Sequence, residues 1–317
     1  MNEGLKKNRG WTVALALSLA AVAVLVAGPS AAVLSKSEAK CASQLGKGGA
    51  KLAKAVLKGV SKCRSGEISG KTAGPCPDSK TTGKINKAVA KLSAAANKSC
   101  GSTCSVSVIP CISDLACPPL NDTYERCSAA GKNLFDMGSI GFPGPLCEAA
   151  IGSEVMDAGD MAECVQLLTQ ATSADAIDAV FGSVTSSSGI SPGAAKCLGG
   201  ISKAVTRVVT TVQKGVGKCR ALIDKGKSSL SPSQCSSDDP KTSAKIAKMI
   251  AKLDKSLGKC SDAEIQELDI CGLGPGGVAT AADAAACLEQ ASLEFGAAQK
   301  GPAFRDYAQV SLVEASF

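Results

Sequence analysis

The 317-residue chain contains no histidine, one Trp, two Tyr and six Phe. Without histidine, Ser-His-Asp and Cys-His catalysis, haem attachment of the Cys-x-x-Cys-His kind and every imidazole-containing metal site are excluded. Few aromatics, and an apolar fraction that leans on Ala, leave little side-chain area from which to build a core. Long apolar runs are also scarce. The run Trp11 to Ala27, 17 residues, is shorter than the roughly 20 that span a bilayer. Lys6, Lys7 and Arg9 precede it and Ser30-Ala31-Ala32 follows, the layout of a secretory signal. Residues 1–32 are therefore expected to be a signal peptide cleaved after Ala32. The mature chain is then secreted or periplasmic, with no stable transmembrane segment after processing.

Cysteine is abundant instead, with 16 in the chain. In an exported protein an even number of cysteines suits full pairing, and cross-links supply stability that a poor core lacks by constraining the unfolded state. Comparing the chain with itself shows how they are arranged. Cys41, Cys63, Cys76, Cys100, Cys147 and Cys164 recur as Cys197, Cys219, Cys235, Cys260, Cys271 and Cys287. The segment KTTGKINKAVAKLSAAANKSC from Lys80 aligns with KTSAKIAKMIAKLDKSLGKC from Lys241 with one deletion, so the chain is read as a tandem duplication. Residues 33–181 form the first copy, enlarged by a cysteine-rich loop insert at about 101–146. Residues 182–195 are a Ser/Gly linker of flexible composition, and 196–317 are the second copy.

Within each copy, helical periodicity dominates. At 100° per residue, Leu45, Leu52, Val56 and Val60 share a face with Cys41 and Cys63, and Lys47, Lys51, Lys54, Lys58 and Lys62 lie opposite. Residues 80–100 repeat the division, with Ile85, Val89, Leu92 and Ala96 facing away from Lys84, Lys87, Lys91 and Lys98. Cys41 and Cys63 are 22 positions apart on one helix, roughly 33 Å, against the roughly 7 Å limit for bridged Cα atoms. An antiparallel hairpin instead pairs Cys41 with Cys100 and Cys63 with Cys76. The second copy then pairs Cys197 with Cys260 and Cys219 with Cys235. Cys147 with Cys164 and Cys271 with Cys287 are expected to tie a final helix back. For Cys104, Cys111, Cys117 and Cys127 three pairings stay open. The expected fold is all-α: two tandem disulfide-stapled antiparallel helical hairpin modules.

Charge is divided along the chain. Residues 41–100 carry twelve basic and two acidic side chains, and residues 133–195 carry eight acidic and none basic. Residues 197–260 carry thirteen basic against four acidic, and residues 261–317 two against nine. Three readings compete for these lysine stripes. They are solvated faces that keep Ala-rich helices soluble, or basic hairpins attracted to acidic tails within or between molecules, or binding faces for an anionic envelope polymer or surface. The candidate anion-binding face comprises Lys47, Lys51, Lys54, Lys58, Lys62, Lys203, Arg207, Lys214 and Lys218. Nucleic acid is the partner least suited, since almost no aromatics stand among the lysines to stack on bases.

Several motifs fit only by their letters. Gly272, Gly274 and Gly277 satisfy a dinucleotide fingerprint, but helix rather than strand is expected before them and Pro275 interrupts the loop. Gly66 to Thr72 is one residue short of a phosphate loop. Ser37-x-x-Lys40 and Ser256-x-x-Lys259 match a serine-lysine nucleophile spacing without its accompanying motifs. An all-Cys zinc site lacks paired short spacings, the nearest being Cys100-x-x-x-Cys104. Asp157 and Asp160 are a carboxylate pair without a flagged site. Asn97 and Asn121 head glycosylation sequons.

No catalytic, cofactor or metal residues are assigned. The expectation is an exported, non-catalytic structural or binding protein acting through segregated basic and acidic surfaces, its partner itself, head to tail, or an anionic envelope polymer. A membrane-surface or lipid-binding module is the alternative, and an enzyme working without His the third. Non-reducing peptide mapping is expected to recover Cys41 linked to Cys100, and a peptide linking Cys41 to Cys63 would overturn the hairpin.

Overall fold

Helix α1, Lys36–Ile68, runs through 33 residues without a proline and is rich in Ala, Lys and Leu, all good helix formers. It stops where Gly70 turns to φ 68°, with the Lys71 amide donating to the Gly66 carbonyl at 2.7 Å. α2, Ser79–Cys100, begins at Asp78, whose carboxylate accepts from the Thr81 amide at 2.7 Å. The Thr81 hydrogen bonds, with Lys80 and Lys84 nearby, hold the Asp78 carboxyl below its ordinary range despite some desolvation. The aligned part of the second copy starts the same way. α6, Pro240–Leu257, is capped by Asp239, which accepts from the Thr242 amide at 2.9 Å. The remaining helices are α3 Pro145–Ile151, α4 Ala158–Phe181, α5 Pro192–Ile223, α7 Asp262–Gln266 and α8 Ala281–Ala298.

These elements belong to a computed structural model that describes residues 36–100, 105–110, 123–129, 132–133, 145–153 and 157–298, with Leu34 and Val155. The expected signal peptide, Cys104, Cys111, Cys117 and the Asn121 sequon lie outside the described residues. From Val33 onward the chain is one compact unit.

The fold is helical, with one exception inside the insert, which was expected to be a loop. Three strands, β1 Ser105–Pro110, β2 Thr123–Ala129 and β3 Lys132–Asn133, form an antiparallel sheet in the order β1-β2-β3. Val106 pairs with Cys127 and Ile109 with Tyr124. The run Ser-Val-Ser-Val-Ile alternates polar and β-branched residues, which suits a pleated strand better than a loop.

Disulfides pin each long helix pair at both ends. Cys41 is bonded to Cys100 and Cys63 to Cys76, with Cα separations of 4.8 and 5.7 Å. Cys197 is bonded to Cys260 and Cys219 to Cys235, at 5.5 and 5.6 Å. Cys147–Cys164 joins α3 to α4 at 5.1 Å, and Cys271–Cys287 joins a single 3-10 turn at Ile270–Gly272 to α8 at 6.6 Å. The loop of 59 residues closed by Cys41–Cys100 contributes roughly 4 kcal/mol in the chain-entropy model, less its overlap with the inner bridge.

Between the staples the helices approach closely. A Cβ on Gly59 would come within 2.6 Å of Thr81 Cγ2, and the aligned Gly215 and Thr242 repeat the contact at 2.5 Å. A Cβ at either position would force the threonine to shift, so glycine suits the close crossing. The apolar faces point inward: Leu45 and Leu52 are fully buried, as are Ile201, Val208 and Leu253, and each such burial contributes about 1.5–3 kcal/mol. α4 packs on α1 and α2, α8 packs on α5 and α6, and α1 and α4 also pack on α5. Phe181 is fully buried.

Several polar side chains lie in this core, among them Thr169, Ser173, Gln213 and Ser292 at 0% exposure. Gln213, fully buried on α5, has neither amide atom hydrogen-bonded, and the residue aligned with it in the first copy is the buried Leu57. An unsatisfied buried amide costs about 1–3 kcal/mol. Gln213→Leu is accordingly expected to raise stability by about 1–2 kcal/mol, read from urea midpoints at an unchanged m-value.

Candidate functional site

A groove of about 210 Å³ runs between α1 and α2, floored by Gly48, Ala88, Leu92 and Ala95 and edged by Lys47, Lys51, Lys84, Lys87 and Lys91. Its register follows from two contacts. Gly48 lies against Leu92 and Gly59 against Thr81, so residue n of α1 is level with residue 140 − n of α2. Lys91 then falls at the level of residue 49, Lys87 at 53 and Lys84 at 56, interleaving with Lys47 and Lys51 from the opposite wall. At about 1.5 Å per residue the five ammonium-bearing side chains are rungs spread over about 13 Å. All five are exposed. Neither α1 between Cys41 and Cys63 nor α2 contains an acidic residue, and no salt bridge engages these lysines among the described residues.

The structure gathers only some of the nine expected anion-binding residues. Lys47 and Lys51 line the groove, whereas Lys54, Lys58 and Lys62 continue the stripe along α1 as exposed side chains outside its lining. Lys203, Arg207, Lys214 and Lys218 form the matching exposed stripe on α5. Lys84, Lys87 and Lys91, recognised in the sequence as the polar side of α2, were missed as site residues. Helix phase reveals a stripe but not which stripe it faces; the repeated glycine–threonine pair was the available signal for the register.

A second polar cluster lies where the copies meet, and it anchors the segment whose composition suggested flexibility. Arg64, near the end of α1, reaches the end of α4. It donates to Asp178 Oδ1 at 3.2 Å and to the Gly182 and Val184 carbonyls at 3.0 and 3.2 Å, with its guanidinium 5.2 Å from the Phe181 ring centre. From the second copy, Asp269 Oδ2 accepts from both the amide and the hydroxyl of Ser183 at 2.7 Å, and Oδ1 from the Gly274 amide at 2.6 Å. Glu267 accepts from the Ser191 amide at 2.6 Å. Gly182 adopts φ 44° with its Cα against Asp269, so any side chain there meets both backbone strain and a clash. Asp269 is 5% exposed. Burial raises the pKa of its carboxyl, and the hydrogen bonds from Ser183 and Gly274 together outweigh burial, leaving it below the ordinary range.

The remaining motifs resolve into local structure. Gly272, Gly274 and Gly276 take positive φ in a turn folded around Asp269, and the short helix α7 precedes it. The amides of Lys71 and Thr72 point back to the Gly66 carbonyl, capping α1. The Ser256 hydroxyl donates to the Lys252 carbonyl at 2.8 Å. Asp157 and Asp160 form the capping box of α4, Asp157 accepting from Gly159 and Asp160 amides at 2.6 and 3.0 Å. Asn97 is exposed on α2, but Ser99 of its sequon is 4% exposed. Among the described residues no helix is long and apolar enough to cross a membrane, and no three metal-ligating side chains cluster. Six disulfides fit an oxidising compartment.

Comparison with protein-family models, curated proteins and solved structures finds no match to the chain.

Asp269 gives the inter-copy cluster a pH signature. Its folded pKa lies below the 3.8 of an ordinary aspartate, so its contribution is complete above that value and drains as pH falls through the folded pKa. Asp269→Asn is expected to cost about 2–3 kcal/mol at neutral pH. Urea midpoints taken from about pH 6 down to pH 2 are expected to fall less steeply below about pH 4 in the variant than in the parent.

Proposed function

We propose that the chain is an exported, non-catalytic binding or structural protein that acts through segregated basic and acidic surfaces. The observation that carries this reading is the lysine-lined groove, whose five cations have no salt-bridge partner among the described residues. The acidic side chains lie elsewhere: Glu163 and Asp175 are exposed on α4, and Asp283 and Glu294 on α8. Arg64–Asp178 is an ion pair between the end of α1 and α4, but the stripe lysines take no part in it. Among the described residues the stripe lysines and these acidic side chains are displayed to solvent, an arrangement that favours electrostatic capture of a partner.

A lipid-inserting role finds less support. The apolar faces of α1 and α2 are turned into the core, with Leu45, Leu52 and Leu92 at or below 1% exposure. Insertion of an amphipathic helix requires such a face to be free.

The reading is tested by association at two ionic strengths. The disulfide-bonded mature chain is expected to assemble or to be retained on an anionic polymer matrix at about 20 mM salt, and to be released at about 500 mM, where the Debye length has fallen to roughly 4 Å. A chain that stays monomeric and unretained at low salt overturns the charged-surface reading.

A further inference from the structure

We infer that the α1–α2 groove is a binding site for an extended, non-aromatic polymer bearing closely spaced oxyanions, and that α5–α6 carries a second version of it. The inference rests on the charged-surface reading and adds a location and a ligand chemistry. Its first support is the alternation of rungs. Lys47, Lys91, Lys51 and Lys87 come from the two walls in turn, and Lys84 follows Lys87 on the α2 wall, so a linear anionic chain lying in the groove meets a cation about every 3 Å of helix rise over the first four rungs.

The second support is repetition across the duplication. Gly215 against Thr242 sets the register of α5 and α6, placing residue n level with residue 457 − n. The aligned cations Lys203, Lys252, Arg207, Lys248 and Lys245 fall at levels 203, 205, 207, 209 and 212, the same alternation as in the first copy. All five are exposed. Five of five rung positions remain basic although neighbouring residues differ. The floor does not remain the same. Ala204 stands where the first copy has Gly48, and Met249, partly buried against the core, stands where it has Ala88. Met249 fills space that Ala88 leaves open, and Asp254 adds a negative charge to α6, so the first groove is the stronger site.

The third support is energetic. Lys47–Lys51 and Lys87–Lys91 are like-charge pairs one turn apart, each unfavourable by a few tenths of a kcal/mol. Staples at both ends hold these repelling charges in place, and an anionic ligand relieves the repulsion.

Size and chemistry narrow the occupant. About 210 Å³ is below the roughly 300 Å³ at which drug-sized pockets begin, a volume that suits a slim extended segment better than a whole helix about 10–12 Å across. No aromatic lines the groove to stack a base. A flat membrane surface reaches exposed lysines equally and gains nothing from the concave floor.

The test uses the disulfide-bonded mature chain and three soluble probes: a sulfated polysaccharide, a polyuronate and polyphosphate. Lys47→Glu/Lys87→Glu/Lys91→Glu is compared with Lys225→Glu/Lys227→Glu/Lys259→Glu, which makes the same charge change at exposed lysines off both ladders. A third variant, Lys47→Gln/Lys87→Gln/Lys91→Gln, guards against a folding defect, and circular dichroism with non-reducing mapping verifies each. The ladder reversal is expected to weaken binding of at least one probe tenfold or more and to flatten the salt dependence by about two units of log–log slope, at about 0.7 per lost contact. The off-ladder reversal is expected to change affinity less than threefold, with the Gln variant intermediate. The probe most affected identifies the source of the oxyanions. Equal losses in the two reversals overturn the site while leaving the charged-surface reading standing. Failure of all three probes, or tighter binding to phosphatidylglycerol vesicles than to any probe, overturns the ligand. If salt-dependent self-association is also absent, the reading beneath it falls too.

Discussion

Everything else in this fold depends on the helix pairs being clamped at both ends. With Cys41–Cys100 and Cys63–Cys76 closed, α1 and α2 cannot slide, because a shift of one turn would separate bridged Cα atoms that lie 4.8 and 5.7 Å apart. Fixed register lets Gly59 meet Thr81, and Gly215 meet Thr242, so closely that a Cβ on either glycine would displace the threonine. It also decides which lysines oppose which. A core of Ala, Val and Leu alone would define this register weakly, since such side chains repack after small shifts at modest cost.

How much was legible in the sequence follows from the range of each signal. Helices α1, α2 and the aligned parts of α5 and α6 were legible because the 3.6-residue period persists over many turns, and cysteine phase on those helices restricted which partners are within reach. The lysine stripe was legible for the same reason. The groove was not, because it arises between two helices and requires their axial offset. Arg64 and Asp269 were illegible in another way: Arg64 bonds to Asp178, and Asp269 to Ser183, each more than 80 residues away in sequence. The Ser/Gly run near 182–189 read as flexible by composition, and those small residues instead let two charged side chains bond directly to its backbone.

The clamp at Gly182–Ser191 also ties α1 to the turn around Asp269. Copies joined by a free linker would interact through surface contact alone, and such interfaces are typically modest. Here the first copy holds the linker through Arg64 and the second holds it through Asp269 and Glu267. Of these anchors Asp269 is buried and Arg64 half-buried, and both bond to backbone, so the cost of burying charge is met by hydrogen bonds of the stronger, charge-assisted kind.

The asymmetry between the copies is best understood through what each position contributes to the fold. Residues that set register, namely the staple cysteines, the Gly–Thr crossing and the Asp cap of the second helix, are the same in both. The groove floor differs in part, glycine against alanine and alanine against methionine, while Leu92 is matched by Leu253. The rungs set no register, and in isolation they oppose folding through mutual repulsion, yet all five stay basic. The rung positions are basic in both helix pairs although residues beneath them differ. Solubility alone is served by any exposed charge on those faces, of either sign. Retention of cations at the interleaved levels is the pattern a ligand-facing constraint leaves, and the disulfides are what allow the fold to carry it.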